Sequence, residues 1–276
     1  MPPTTALLLI EQLDDLLIEL LQSLSPADWE VPTVARQWAV KDVAAHLLDG
    51  NLRGLSAGRD GYFGEKPVGV NSYEQLVAYL NRLNMDWTRA MRRVSPALLV
   101  QLLQITAPLY RQHLQSLPPE APAVFGVAWA GQHSSPNWLH IAREYTEKFL
   151  HQQQIRDALN RPGLLVSAYF TPFMDTCLYA LPHTLRAVQA ADGTLVCLQI
   201  TGAVVGQWQV QYWQQSGWQV ALHATEPPTT VVRIDADAAW KLISKSWRPA
   251  DAAPYIQITG NEALGRRALE MVAFMA

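Results

Sequence analysis

Hydrophobic positions recur at helical spacing over most of the first 160 residues and then give way to short alternating runs. From about Thr5 to Ser23, Leu9, Leu13, Leu16, Leu17, Leu20 and Leu21 share one face with acids between them, which predicts an amphipathic helix ended by Ser25-Pro26. A second helix is predicted from Trp38 through Arg53. In it Val43, Leu47 and Leu48 lie apart from a polar strip of Asp42, His46, Asp49, Gly50 and Arg53. Ser72, with Gln75 at capping-box spacing, starts a third that runs to about Val94 with Leu76, Tyr79, Leu80, Leu83 and Trp87 facing inward. Ser95-Pro96 resets that helix, and its apolar pattern continues to about Leu117. After a loop carrying Val124, Phe125, Val127 and Trp129, a candidate cleft lining or partner surface, Ser135-Pro136 opens the next helix. It reaches about Leu159 and is ended by Asn160-Arg-Pro-Gly163. Four main helices joined with a long crossover predict a bundle, a frequent host for metal sites built from facing side chains.

Beyond Gly163 the pattern changes. An apolar helix is expected over Val166–Ala190, kinked or broken by Pro172 and Pro182. Four β-like runs follow at Thr194–Thr201, Val205–Trp213, Trp218–His223 and Thr229–Ile234, with turns such as Gln215-Ser-Gly217 between them. They predict a meander of about four antiparallel strands. Asp235 then caps a helix through Ser244, Tyr255–Thr259 is again β-like, and a terminal helix is expected to end near Met275. The predicted fold class is therefore a two-domain chain. A helix bundle occupies residues 1–162, and an α+β domain with a mainly antiparallel sheet occupies 163–276.

Composition narrows the function classes. A net charge of -3 gives no basic footprint, which argues against a nucleic-acid partner. The first apolar segment carries Glu11, Asp14, Asp15 and Glu19, so it does not read as a membrane span. No Lys or Arg precedes Arg36, so the charged start of a secretory signal is not seen. Cys177 and Cys197 form neither a CxxC motif nor a framework, and read as buried free thiols in a reducing cytoplasm.

The candidate chemistry sits in the helix after Ser135. Residues four apart on a helix return to within about 40° of one face, so His140, Glu144, Glu147 and His151 form one polar stripe. Such a stripe is either wet or held by something positive. Imidazole and carboxylate are a ligand set for zinc and its neighbours. Two ligands do not make a catalytic zinc site, so a third must come from elsewhere, and the second helix offers a polar strip with His46.

Trp38 ahead of Asp42 and His46, the Glu147-x3-His151 pair, and the run Ile155-Arg156-Asp-Ala-Leu-Asn-Arg-Pro162 together resemble the mycothiol-dependent maleylpyruvate isomerase family. The resemblance implies a DinB-like metal-binding four-helix bundle joined to a domain of the sterol-carrier-protein type. It implies zinc ligands at His46, Glu147 and His151, mycothiol or another low-molecular-weight thiol as cofactor, and cis–trans isomerisation of a small-molecule substrate. It also implies a functional arginine in the C-terminal half, for which Arg233 is preferred here. Where the family has an acid three residues after the last ligand, this chain has Gln154. Arg53 and Arg143 are local candidates for holding substrate carboxylates; pairing with Asp49, Glu147 or a surface acid is the alternative. His113, His133, His183 and His223 lack partners at useful spacing and read as ordinary. Two further functional classes stay open: a zinc-dependent thiol S-transferase or hydrolase, and a non-enzymatic protein holding an apolar ligand in a cavity of its second half. A homodimer is an expected arrangement if the Val124–Trp129 loop is a partner surface.

Overall fold

A computed structural model of the chain describes residues 2–65, 67–221 and 224–275. The described chain falls into two compact units, one built from residues 2–126, 133–162 and Met275, the other from Val127–Gln132 and Gly163–Phe274.

In the first unit, helix α1 (Pro3–Gln22) buries Leu9, Leu13, Leu17, Leu20 and Leu21. Helix α2 (Val40–Arg53) starts two residues later than the pattern predicts. The Trp38 carbonyl accepts from both the backbone N–H and the hydroxyl of Thr33, at 2.9 and 2.8 Å, which holds Trp38 outside the helix. The Ala39 N–H donates to the Asp42 carboxylate at 3.2 Å, which satisfies one of the free amides of the first turn. Beyond Arg53 the helix continues as a π-helical turn, Gly54–Arg59.

The apolar pattern between Ser72 and Leu117 is two separate helices, α3 (Tyr73–Met91) and α4 (Pro96–Ser116). Ser72 and Ser95 each cap one, accepting from the N–H groups of Gln75 and Leu98. The Gln75 side chain does not close a capping box with Ser72; it accepts from the Asn71 N–H at 2.7 Å. Helix α3 packs on α2, tied by the Trp87 indole donating to the Ala45 carbonyl at 2.8 Å. Its predicted inward residues are only half-buried, because no other helix covers them among the main packing pairs. Helix α5 (Asn137–Ala158) packs against α1 and α2. The four-helix bundle is thus α1, α2, α4 and α5, with α3 outside it.

In the second unit the expected helix over Val166–Ala190 is two pieces, α6 (Ser167–Cys177) and α7 (Ala180–Leu185). The sheet has five strands: β1 (Leu195–Thr201), β2 (Gly206–Trp213), β3 (Gly217–Val220), β4 (Thr230–Asp235) and β5 (Ile256–Gly260). Their order is β3-β2-β1-β4-β5, so the predicted meander is wrong. Strands β1, β2 and β3 follow one another antiparallel, but β4 crosses to the far side of β1 and pairs with it in parallel, Val196 facing Thr230 and Ile200 facing Ile234. Leu195, Val196, Cys197 and Leu198 are all buried, the continuous apolar run expected of a central strand. Of the predicted third strand, Leu222 and His223 lie outside the described residues.

Helix α8 (Ala236–Ile243) is capped by Asp235, as expected; the short α9 (Pro249–Ala252) leads into β5. The terminal helix α10 ends early, at Glu262–Ala268. After it the chain leaves helical geometry and buries Met271, Ala273 and Phe274, with Phe274 stacked on Phe173 at 6.1 Å. One sheet face is apolar, with Val196, Leu198, Ile200, Val232 and Ile234 buried. The other sets Gln207, Gln199, Arg233 and Gln257 side by side on β2, β1, β4 and β5. Cys177 and Cys197 are buried free thiols.

Candidate metal centre

Helices α2 and α5 run past each other so that His46 meets His151, with ring centroids 4.5 Å apart and edge to face. One ligand atom from each of His46, Glu147 and His151 lies within 4.8 Å of the others. The structure therefore brings together the three residues picked out as ligands. Trp38 closes one side of the group, its ring 4.8 Å from His46 and 6.1 Å from His151.

The polar atoms of this group are poorly served by protein alone. Among the described residues Nδ1 of His46 is buried without a hydrogen-bond partner, although the ring keeps some exposed edge. A buried unpaired ring nitrogen costs about 1–3 kcal/mol unless something else satisfies it. Burial drives the His46 imidazole well below its ordinary pKa range, and His151 and Arg53 push the same way, so it is a neutral ring. Oε1 of Gln154 faces Nδ1 of His151 at 2.9 Å, a geometry in which Nδ1 donates and the neutral ring would present a lone pair at Nε2. Nε2 in turn faces the Glu147 carboxylate at 3.2 Å. A lone pair and a carboxylate oxygen at that distance repel unless a cation or proton lies between them. The donor set of two imidazoles and one carboxylate suits zinc with a position left open.

The arginines are placed differently. Arg53 pairs with Asp49 at 2.8 Å and donates to Asn84 at 3.1 Å. Arg143 donates to Nδ1 of His140 at 2.7 Å and to Glu144 at 3.0 Å. Burial alone would raise the Glu144 carboxyl, but Arg143, then His140 and the Tyr110 hydroxyl, hold it below its ordinary range. Arg233 belongs to the second unit and is exposed on the polar sheet face between Gln199 and Gln257. The sequence did not mark Tyr110 or the role of Gln154. Nothing in their spacing shows that an aromatic of α4 reaches Glu144.

His140 gives the first unit a pH dependence. Burial, with Arg143 adding to it, lowers its pKa to about 4, and a neutral Nδ1 accepts from the guanidinium. The unfolded chain therefore binds a proton below about 6.5 that the folded chain refuses until about 4. Stability is lost as pH falls through that window, by about 3 kcal/mol from this residue. Urea unfolding from pH 7 to pH 4 should show a shallower loss in His140→Gln by about that amount. An unchanged slope would place the titration elsewhere.

The model of the mycothiol maleylpyruvate isomerase N-terminal domain matches residues 10–156, more than half of the chain. The chain belongs to the mycothiol maleylpyruvate isomerase family. Its fold is that of the crystal structure of the mycothiol-dependent maleylpyruvate isomerase, at a TM-score of 0.54 and 11% identity, over 94% of this chain and 93% of that one. A mutant of a mycothiol-dependent maleylpyruvate isomerase matches at a TM-score of 0.56, also with 11% identity and the same coverage. The sterol carrier protein domain 2 of Helicoverpa armigera covers 34% of this chain at 18% identity and a TM-score of 0.27, a score from which no shared fold is inferred. No curated protein matches in sequence. Among the described residues, no helix is long and apolar enough to cross a membrane.

Proposed function

We propose that the chain is a metal- and thiol-dependent isomerase of the maleylpyruvate type, with His46, Glu147 and His151 holding a zinc ion. The observation that carries this reading is the convergence of three ligand atoms, one each from His46, Glu147 and His151, within 4.8 Å of one another. When bound there, zinc would supply Lewis-acid activation and lower the proton affinity of a thiol, the family's mycothiol being the natural candidate.

The organic steps conserve atoms. A thiolate adds to one carbon of a cis double bond, the resulting single bond rotates, and loss of the same thiolate restores the double bond as trans. The protein's part is to hold and orient. Gln154 fixes the tautomer of His151 so that Nε2 faces the centre. Trp38 shields both imidazoles from water on its side. Arg143 and Arg53 are the nearby positive charges for substrate carboxylates, each already steadied by an acid. Arg143, reaching His140 and Glu144 on the same stripe as Glu147, is the better placed of the two. Arg233, on the polar sheet face of the second unit, is the functional arginine proposed from the family resemblance. The cytoplasm is the compartment that fits two free buried thiols.

The apolar-ligand alternative needs a roomy cavity. One apolar cavity among the described residues, lined by Met174, Leu198, Ile234 and Met271, is about 20 Å³, room for a water-sized group and not a lipid. The purified protein, supplied with zinc, a panel of biological thiols and maleylpyruvate, should form the trans isomer only when both metal and thiol are present, with no net consumption of thiol. Thiol consumed mole for mole would make it an S-transferase. A protein that cannot be loaded with metal would overturn the reading.

A further inference from the structure

The facing surfaces of α2 and α5 can be followed turn by turn from the candidate metal centre. On α2 and its π-helical extension, His46, Gly50, Gly54 and Gly58 stand four residues apart on one face. On α5 the corresponding stripe is His151, Glu147, Glu144 and His140, running the opposite way. At the first level the two imidazoles meet. At the third, Gly54 is flush against Tyr110, which lies on Glu144: a Cβ at Gly54 would come within 2.3 Å of the Tyr110 ring. At the fourth, a Cβ at Gly58 would come within 2.5 Å of His113, the neighbour of His140. Side chains of α4 therefore fill the seam at both of those levels.

At the second level no described side chain packs against the glycine. A Cβ at Gly50 would meet nothing within 4 Å, although the residue is only partly exposed and lies between a packed aromatic level and the imidazole pair. The next polar side chain of α4 does not reach it, because Thr106 is tied to Asn51 on a neighbouring face at 3.2 Å. Interpolation along the two helices puts this gap at the level of Glu147. Glycine inside a helix destabilises it relative to alanine, and here no close contact requires it. Its absent side chain leaves open space one helical turn from His46 on the same helix.

We propose that Gly50 is a specificity-determining residue: the space it leaves admits the body of the thiol whose sulfur reaches the His46–Glu147–His151 centre, so residue 50 sets how bulky that thiol can be. This rests on the metal-dependent reading of the site.

The test uses the full chain loaded with cobalt(II), and Gly50→Ala and Gly50→Leu beside it. The probes are cobalt alone, 2-mercaptoethanol and 4-mercaptobenzoate, followed by thiolate-to-cobalt absorption. Both variants should bind cobalt within about twofold of wild type, a marker of intact ligand geometry, and Gly50→Ala should melt at a higher temperature. Gly50→Leu should bind 4-mercaptobenzoate at least tenfold more weakly while 2-mercaptoethanol changes far less. Equal affinity of Gly50→Leu and wild type for the bulky thiol, with cobalt bound in both, overturns this inference and leaves the metal site standing. Loss of cobalt from Gly50→Leu also overturns it, because the residue would then be part of the packing of the centre. A wild-type protein that binds no cobalt overturns both readings together.

Discussion

Replacing His46 by alanine is expected to abolish stoichiometric zinc binding and, with it, thiol-dependent isomerisation, while leaving the metal-free protein at least as stable as wild type. The two halves of this expectation have one cause. In the folded chain Nδ1 of His46 is buried without a partner, and burial holds the ring neutral. A metal-free wild type bears the cost of that unsatisfied nitrogen, about 1–3 kcal/mol, and alanine removes it. Against this gain stands a small cavity, since the lost ring is not fully buried. The metal changes the sign. A ligand that binds only the folded state stabilises it in proportion to the logarithm of its concentration over Kd, which vanishes for a variant that has lost a ligand. Loss of an outer-sphere partner already weakens metal sites about 10–100-fold, so loss of a direct ligand should exceed ~100-fold. Melting temperatures measured with chelator and with zinc should therefore cross. His46→Ala would match or exceed wild type in chelator and fall below it in zinc. Parallel melting in both conditions would mean that residue 46 is an ordinary buried histidine.

Much of the fold was legible because it rests on local chemistry. Ser72 and Asp235 cap helices where the sequence places them, and Ser95-Pro96 begins a new helix, whose cap by Ser95 the structure adds. The pairing of Glu147 with His151 is a property of four-residue spacing on one helix. The failures concern partners distant in the chain. Alternation marks β4 as a strand but carries no sign of which strand it will pair with, and it pairs in parallel with β1. The stretch after Ala268 has helical apolar spacing, yet Phe274 is held by stacking on Phe173 instead. The role of Gly50 was invisible for a similar reason: its place on the polar strip is plain, whereas the emptiness beside it depends on where Tyr110 and His113 fall. Nor does spacing show that α5 is buried on its second polar face as well, along Lys148, Gln152 and Arg156.

That second face yields the other large effect. Lys148→Met is expected to destabilise the chain by about 3–5 kcal/mol in urea unfolding near neutral pH. Lys148 and Asp14 are both almost wholly out of water and meet at 2.6 Å; the lysine also donates to Asn51 at 3.3 Å. The pair stitches α1, α2 and α5 together, and Gln152 extends the seam by donating to the Leu13 carbonyl at 2.8 Å. One Asp14 oxygen has no hydrogen-bond partner among the described residues even in the intact protein. Without the ammonium, the carboxylate would be left buried and uncompensated, which is the source of the large cost. Burying two apolar groups of similar shape removes that cost, so the double variant Asp14→Leu/Lys148→Met should recover most of the loss. Recovery would show that the penalty belongs to the stranded charge; a double variant as unstable as the single one would show that packing around Lys148 sets it. The same comparison bears on the metal centre, because Asn51 follows Gly50 on α2 and Lys148 follows Glu147 on α5. The Lys148–Asn51 contact at 3.3 Å is where this network reaches α2, and it is expected to help set His46 opposite His151. If this is its role, the double variant, although stable, should bind cobalt more weakly than wild type. Unchanged cobalt affinity would assign the register to the apolar contacts of Val43, Ala44 and Ile155 within the bundle core.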